Sequence, residues 1–443
     1  LLGASGSGKT TLLYQRIRAR AEAGGRSILL VPEQFTSSTE GRIHRELGDA
    51  LSGLVESFSF TSLAEHILSA EGGSAVQTLS DAGRAVLVRR ALEELQDNVH
   101  YYYRHRRSAA FCQMASETID ELKSAGLSGQ RLYALAQECG ADSAKLSELA
   151  LIFQGYETLL AGTGMDPSDR LTLAASRLES ALARGGLPEF LRGREVFIDE
   201  FDTFNAPKKR LMGALLASLP TVTVALCDDG APLIPGDMSL FSGAKQVAAQ
   251  LRQLARRSGT EVAVPELLRR DVRHADAPGL AAAARLLASG RCDPPPACPE
   301  IKLFAAPSRE EEARAAAAAI RRLMRQGVRC GRVAVVCRDI AKYRAAVRYE
   351  FRMADIPLYC DEPTTPEFSA PATAVRCLLA IARGAELTEQ LTTLAKTGLC
   401  ALTEEEVCAL ENYAYTWSPG AAAWRAPFEK NPRGFGDADP TAE

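Results

Sequence analysis

The chain has 443 residues, of which 46% are hydrophobic and 24% are charged, a composition typical of soluble globular domains. Its net charge of −3 excludes a global positive field, so any contact with nucleic acid must come from a local patch or from a partner. The sequence has neither a membrane-length apolar run nor a signal peptide, and its eleven irregularly spaced cysteines favour reduced thiols in a cytoplasmic protein.

The first predicted element is a phosphate-binding loop at residues 3–10, which matches the pattern G-x-x-x-x-G-K-[ST]. Its glycines let the backbone form a nest of N–H groups around a phosphate, Lys9 offers a charge to the β- and γ-phosphates, and Thr10 offers a hydroxyl to Mg²⁺. Residues 10–15 are predicted to form a helix whose N-terminus faces the anion. The loop therefore predicts an ATP site, with an accidental glycine-rich turn as the alternative. Its predicted nucleotide-binding residues are Gly3, Ala4, Ser5, Gly6, Ser7, Gly8, Lys9 and Thr10.

Only Leu1 and Leu2 precede the loop, where P-loop proteins place a strand, and no initiator methionine is present. We therefore expect a fragment, clipped by a few residues at its start and continued downstream in the whole protein.

Two short apolar segments follow the P-loop helix. Residues 26–31 predict a buried parallel strand that ends at Pro32, and residues 55–60 predict a second strand. From about residue 62 to residue 185 the pattern is helical, with helices predicted at 80–96, 108–126, 143–163 and 169–184. We interpret this stretch as a helical insertion between two halves of one sheet.

The sheet resumes at residues 195–200, an apolar run that ends in Asp199 and Glu200. Such a strand can deliver Asp199 to a Mg²⁺ ion, while Glu200 polarises the attacking water as the catalytic residue. A strand that simply ends in acidic turn residues is the alternative, and the upstream P-loop favours the catalytic interpretation. A further strand at 221–226 leads into the sequence Cys-Asp-Asp-Gly, and this order of elements predicts an α/β fold with a parallel sheet.

A proline-rich segment at 293–299 predicts a linker to a second α/β unit. That unit is predicted to contain strands at 301–306, 333–337 and 356–359 and helices at 309–326 and 340–353. From about residue 370 the pattern is helical again.

Two sheet units, one with a P-loop and each interrupted by helices, resemble the core of superfamily 1 helicases. Four segments, at 29–36, 197–201, 394–399 and 410–413, resemble the B subunit of the AddAB-type ATP-dependent helicase–nuclease, and the Val-Pro-Glu-Gln-Phe sequence within the first is the most specific. The resemblance implies tandem RecA-like P-loop domains with helical insertions. The first P-loop domain would comprise 1–62 and 188–290 with an insertion at 63–187, and the second would begin at 299–368 with a truncated insertion at 369–443.

By this resemblance the chain is an ATP-binding subunit of a bacterial, cytoplasmic helicase–exonuclease that acts on double-strand DNA ends in recombinational repair. Its implied partners are the A subunit, which is the working motor and a nuclease, and single- and double-stranded DNA, with no membrane. In relatives a nuclease domain with a four-cysteine iron–sulfur cluster lies beyond the equivalent of residue 443, so no nuclease or cluster residue is assigned here.

The chain also departs from active helicases. The γ-phosphate-sensing glutamine expected after the strand at 221–226 is absent, and Pro32 to Phe35 replace the usual Thr/Asn-rich DNA-contact sequence. Two hypotheses remain open: an ATPase that takes its arginine from a downstream segment or from the partner, and a nucleotide-binding but non-translocating scaffold that recognises DNA and docks the motor subunit.

Residues 101–107, Tyr-Tyr-Tyr-Arg-His-Arg-Arg, form one dense basic and aromatic cluster. Aromatic rings can stack on bases while guanidinium groups neutralise phosphates. A turn between helices with the tyrosines packed inward is the alternative, and the sequence slightly favours it.

Overall fold

A computed structural model describes residues 1–72, 78–290, 298–361 and 366–431. The chain forms two compact units, Leu1–Lys302 and Leu303–Glu443. Parallel sheets and many helices confirm the predicted α/β class. Most of the predicted linker at 293–299 lies outside the described residues.

The first unit contains seven described strands and twelve described α-helices. The strands are β1 (Leu2–Gly3), β2 (Ser27–Leu30), β3 (Val55–Phe58), β4 (Glu195–Ile198), β5 (Val222–Val224), β6 (Leu226–Cys227) and β7 (Leu267–Leu268). The helices are α1 (Lys9–Glu22), α2 (Thr36–Leu47), α3 (Asp49–Ser52), α4 (Phe60–Ala70), α5 (Asp81–Glu94), α6 (Ala109–Ser124), α7 (Gly129–Ala136), α8 (Ser143–Ala161), α9 (Arg170–Ala183), α10 (Ala206–Ser218), α11 (Ser242–Arg257) and α12 (Pro278–Ser289).

All pairings between these strands are parallel, with the orders β3-β2-β4-β5 and β6-β1-β7. Only Ala225 separates β5 from β6, and the N–H of Ala225 still donates to Ile198 O (2.9 Å). The segment from β5 to β6 therefore pairs with β4 first and with β1 next. One strand position thus separates the P-loop strand β1 from the acidic strand β4.

Side chains on the central strands alternate between two helical layers, because successive residues of a strand point to opposite faces. Ile28, Leu30 and Val196 pack in the core beneath α4, α9 and α10. Leu29 and Phe197 pack on the other face with apolar residues of α1 and α2. Both faces are covered, which explains why β2 is buried at every position and apolar from Ile28 to Leu30 rather than alternating.

The four helices predicted between residues 80 and 184 are confirmed, because α5, α6, α8 and α9 lie at those positions. Serine side chains cap the N-termini of two of these helices. Ser80 accepts from Gly83 N–H at the start of α5, and Ser108 accepts from Phe111 N–H at the start of α6. Helix α7 is additional to the prediction, and its eight residues pack against α8.

A buried ionic network joins the helices of the insertion. The fully buried Asp166 carboxylate, in the turn before α9, accepts from Lys123 Nζ (2.8 Å), Tyr156 OH (2.7 Å) and Ser168 N–H (3.0 Å). The Arg84 guanidinium lies 3.6 Å from Asp166 and also pairs with Asp120 and Asp81. The network therefore ties α5, α6 and α8 to α9, which in turn packs on the α4 and α10 layer of the sheet.

The second unit has helices but no strand among its described residues. Its helices are α13 (Arg309–Arg325), α14 (Ile340–Met353), α15 (Ala370–Ala382), α16 (Leu387–Ala395) and α17 (Glu404–Trp417). Helices α13 and α14 agree with prediction and share a small core around Ala317, Ile320 and Phe351. The three strands predicted at 301–306, 333–337 and 356–359 are wrong for the described chain. A strand needs a paired backbone, and these apolar segments remain largely exposed, with Leu303 and Val336 almost fully so.

No described helix is long and apolar enough to cross a membrane. The ten cysteines in the described ranges are all free thiols, but only Cys112 and Cys377 are buried.

Candidate nucleotide-binding site

The loop at residues 3–10 connects β1 to α1, as predicted, and its three glycines are needed for different reasons. Gly6 and Gly8 have left-handed backbone torsions, with φ of 82° and 90°. Gly3 is limited by space, because an added Cβ would lie 2.4 Å from Ser7 Oγ and 2.7 Å from Leu268 O. The Ser7 hydroxyl is buried inside the loop without a hydrogen-bond partner. A single methyl group at position 3 would therefore collide with the loop's own Ser7 and with the backbone of β7.

Lys9 is the first residue of α1, and its side chain is folded back into the loop. Its Nζ donates to Gly3 O (2.8 Å) and to Ala4 O (2.9 Å). The two carbonyl oxygens hold the buried ammonium group at the base of the loop. An anion bound by the loop N–H groups would meet this fixed positive charge.

Asp199 follows β4 directly and is buried beside the loop. Burial raises the pKa of Asp199, while a hydrogen bond with Thr10, the Glu200 N–H bond and the charge of Lys9 oppose that rise. The parallel sheet therefore brings the two predicted metal ligands, Thr10 and Asp199, to the same cleft although they are far apart in the chain.

Glu200 lies next to Asp199 with a φ of 65°, one of three non-glycine residues in the described chain with positive φ. Its own N–H donates to Asp199 Oδ1 (2.9 Å). Partial desolvation and then the Asp199 charge raise the pKa of Glu200, and Arg42 opposes the shift. A strained backbone beside a candidate site is a frequent feature of catalytic residues.

The predicted residues line one cleft of about 450 Å³. From the P-loop side it is lined by Ser5, Gly6, Gly8, Lys9 and Thr10, and from the acidic strand by Asp199 and Glu200. Gly3, Ala4 and Ser7 lie behind this surface, where Gly3 and Ala4 supply the carbonyls that hold Lys9. The three thus shape the loop rather than face the cleft.

Two arginines of the chain itself also line the cleft, and the sequence analysis did not identify them. Arg42 comes from α2, and its guanidinium lies 4.7 Å from the centre of the Tyr14 ring. Arg273 follows β7, and its Nη1 donates to Ser5 Oγ (3.2 Å). Guanidinium groups of the chain itself therefore reach the cleft, whereas the expected source of the catalytic arginine, a downstream segment or the partner, stays a prediction. The basic sequence Arg-Arg-Asp-Val-Arg-His at 269–274 was the available signal.

Strand β7 places Arg273 by pairing with the P-loop strand, with Leu2 opposite Leu267 and Gly3 opposite Leu268. Beyond β7, the N–H groups of Val272 (2.9 Å) and Arg273 (3.1 Å) both donate to Gly6 O. His274 hydrogen-bonds Asp271 through its ring and its backbone. These contacts clamp the P-loop from its outer side.

The loop after β6 braces the P-loop from the opposite side. Asp228 N–H donates to Gly3 O (3.1 Å), and the buried Asp228 carboxylate accepts from Gly230 N–H (2.6 Å). Asp229 pairs with the buried Lys245 Nζ at 3.0 Å. Asp228 and Asp229, which follow the strand where the γ-phosphate-sensing glutamine was expected, are thus held by Gly230 N–H and Lys245.

The arrangement fits a magnesium nucleotide better than a bare metal ion. In the described ranges no three His, Cys, Asp or Glu side chains come together as a metal site, so no iron–sulfur ligand set is present there either. Thr10 and Asp199 would offer two oxygen ligands to Mg²⁺, which takes one or two protein ligands when phosphates complete its shell.

Comparison with known proteins gives a consistent family assignment. A family model described as "ADDB, N-terminal" matches residues 1–282. Two relatives named as the B subunit of an ATP-dependent helicase/deoxyribonuclease, from Moorella thermoacetica and Symbiobacterium thermophilum, are each 31% identical over 96% of this chain. One of the same name from Desulforudis audaxviator is 30% identical over 96% of the chain. The chain spans 37–38% of the length of these relatives.

Proposed function

The chain belongs to the family of AddB N-terminal regions, and from that membership we propose that it is the ATP-binding part of a bacterial helicase–exonuclease subunit. The proposed substrates are DNA ends, the proposed partner is an A subunit that carries the main motor, and the proposed location is the cytoplasm. The observation that carries the nucleotide role is the meeting of Lys9, Thr10, Asp199 and Glu200 in one cleft.

We propose that the loop N–H groups and Lys9 hold the β- and γ-phosphates of ATP. Thr10 and Asp199 would hold Mg²⁺, which when bound neutralises phosphate charge. Arg273, fixed by its bond to Ser5, and Arg42 face the same cleft and stabilise negative charge on the phosphates. Positioning and electrostatics are the main contributions that a protein makes to phosphoryl transfer.

In the proposed hydrolysis, Glu200 orients a water molecule toward the γ-phosphorus and takes its proton. The bond from the γ-phosphorus to the bridging oxygen breaks, and ADP leaves with that oxygen. The raised pKa of Glu200 makes it a better proton acceptor than an exposed carboxylate. The retained Asp199–Glu200 pair therefore supports an ATPase.

The alternative function is a nucleotide-holding scaffold that recognises DNA and docks the motor subunit. The loop after β6 favours it, because Asp228 and Asp229 are engaged by Gly230 N–H and Lys245 where an active helicase would have the glutamine that senses the γ-phosphate. With this loop fixed, the chain would bind nucleotide without coupling ATP hydrolysis to movement along DNA.

Two measurements on the purified chain separate these functions. Binding of a fluorescent ATP analogue in Mg²⁺ tests the site, with Lys9→Ala as the variant expected to lose binding. Hydrolysis of ATP with and without single-stranded DNA tests the chemistry, with Glu200→Gln as a control of the same shape.

DNA-stimulated turnover that disappears in Glu200→Gln would support the ATPase. Binding without turnover would support the scaffold. Equal analogue binding by the parent chain and by Lys9→Ala would refute the nucleotide site itself.

A further inference from the structure

The segment between α5 and α6 is a series of tight turns on the surface of the helical insertion. Backbone hydrogen bonds link His105 N–H to Tyr102 O (2.9 Å) and Ser108 N–H to His105 O (2.9 Å). It contains the basic and aromatic cluster at 101–107 and contributes no residue to the nucleotide cleft. The sequence left two interpretations of this cluster open, and the structure contains elements of both.

A buried carboxylate fixes the shape of this turn. Glu148 of α8 is mostly buried, and its Oε1 accepts from His100 N–H (2.8 Å) and Tyr101 N–H (2.7 Å). Its Oε2 accepts from Tyr102 N–H (3.2 Å). Hydrogen bonds to an ionised acceptor are stronger than neutral ones, so three on consecutive residues hold the backbone rigidly.

The three tyrosines divide between the core and the surface. Tyr102 points inward, with its ring centre 5.0 Å from that of Phe111 in the core of the insertion. Tyr101 and Tyr103 point outward and are 58% and 54% exposed. The inward packing favoured from the sequence therefore holds for one tyrosine of three, and that one anchors the two exposed rings.

Positive charge surrounds the two exposed rings. The Arg106 guanidinium lies 3.8 Å from the centre of the Tyr103 ring, which fixes the orientation of that ring. Arg104 and Arg107 are exposed, and within the described part of the chain none of the three arginines forms an ion pair. By contrast, Arg184 and Arg210 elsewhere in the unit pair with Glu71 and Glu179.

We propose that this turn, the Tyr101–Tyr103 platform with Arg104, Arg106 and Arg107, binds single-stranded DNA. The exposed tyrosine faces would stack unpaired bases, and the guanidinium groups would neutralise the adjoining phosphates. Duplex DNA fits less well, because its bases are already stacked on one another. The proposal deepens the proposed role on DNA and rests on it, but it needs no nucleotide at the cleft.

The test measures binding of a fluorescent oligothymidine of about 20 nucleotides to the full chain by anisotropy, over a range of salt concentrations. Tyr101→Ala/Tyr103→Ala should weaken binding about tenfold or more, because each lost stack removes a substantial share of the affinity. Tyr101→Phe/Tyr103→Phe keeps both rings and should bind within about twofold of the parent chain. Arg104→Gln/Arg107→Gln should reduce the slope of log Kd against log salt by about 1.4.

Two controls keep loss of folding and loss of the nucleotide site apart from loss of the DNA site. Arg184→Gln/Arg210→Gln removes the same number of exposed arginines and should leave the salt slope unchanged. All variants should keep the parent melting temperature and the parent affinity for the fluorescent ATP analogue. Failure of ATP binding in the parent chain would refute the cleft alone, since DNA binding is measured without nucleotide.

Photo-crosslinking locates the contact independently. An oligonucleotide with iododeoxyuridine in place of thymidine should crosslink at Tyr101 or Tyr103. Crosslinks found only elsewhere, unchanged binding by the double alanine variant, or no binding of single-stranded DNA by the parent chain would each overturn the proposal. Capture of an acidic protein surface instead of DNA would do the same.

Discussion

Replacing Asp166 with asparagine tests whether the ionic network holds the helical insertion together. Asp166 is fully buried and receives hydrogen bonds from Lys123, Tyr156 and Ser168 N–H. The variant keeps the shape of the side chain but removes the negative charge. It leaves the buried Lys123 ammonium with Asp169 alone, at 2.7 Å.

The expected loss in the free energy of unfolding depends on the carboxylate partners that each cation retains. Removing one partner of a buried ion pair costs about 3–5 kcal/mol when the other charge is left unpaired. Lys123 retains Asp169, and Arg84 retains Asp120 and Asp81, so we expect a smaller loss of about 2–3 kcal/mol. Asp169→Asn is the matched control, because its side chain is 40% exposed and its loss should cost about 1 kcal/mol or less.

The pH dependence has a definite sign. Burial alone would raise the pKa of Asp166, but hydrogen bonds from Lys123, Ser168 N–H and Tyr156 hold that pKa below its ordinary value. Its stabilisation is therefore complete above the unfolded pKa and is lost as the pH falls through the lower folded pKa. Burial raises the pKa of Asp169, so the contribution of Asp169 to stability increases as the pH falls.

Urea unfolding followed by circular dichroism measures the loss, and hydrogen exchange of peptides from 143–183 shows where it occurs. The difference between the parent chain and Asp166→Asn should shrink in acid. A loss below about 0.5 kcal/mol near pH 7, or one no larger than that of Asp169→Asn, would refute the reasoning.

Three further predictions concern the cleft. Gly3→Ala should abolish analogue binding in a fluorescence titration, because the new Cβ would lie 2.7 Å from the Leu268 backbone oxygen. The control Gly24→Ala places a strained alanine away from the loop and should leave analogue binding unchanged. Arg273→Gln should weaken analogue binding about 10- to 100-fold by loss of a charge-assisted contact, with Arg16→Gln on the exposed side of α1 as control. Equal affinities would contradict the proposed contact between the Arg273 guanidinium and the phosphates. If the chain hydrolyses ATP, its rate should rise with pH through a pKa above the usual glutamate range, because Glu200 must be ionised, and this limb should vanish in Glu200→Gln.

Much of the first unit was predictable because its signals are local. The apolar runs of β2 and β4 and the acidic residues Asp199 and Glu200 are visible in sequence, and so is the P-loop. Once the sheet is parallel, its carboxyl edge must gather these residues. The meeting of Lys9 and Asp199 at one cleft is therefore a consequence of the parallel topology.

The parts that sequence did not predict depend on contacts without a local pattern. Strand β7 has only two residues, so the basic sequence at 269–274 was visible but its position beside Ser5 was not. The strand predictions at 301–306 and 333–337 were wrong for the opposite reason. Their composition is strand-like, but strand formation depends on a paired backbone, which composition does not report.

The clamp on the P-loop has a consequence for how the chain is made. Leu1 contacts Val224 across 223 residues, and Ser5 contacts Arg273 across 268 residues. The loop emerges from the ribosome well before the contacts that fix its shape, since Arg273 follows Ser5 by 268 residues. While the intervening residues are being made, the motif therefore exists without its binding site. We expect ATP affinity to report completion of the first unit, and nascent chains that stop before residue 265 to carry an intact P-loop sequence but no nucleotide.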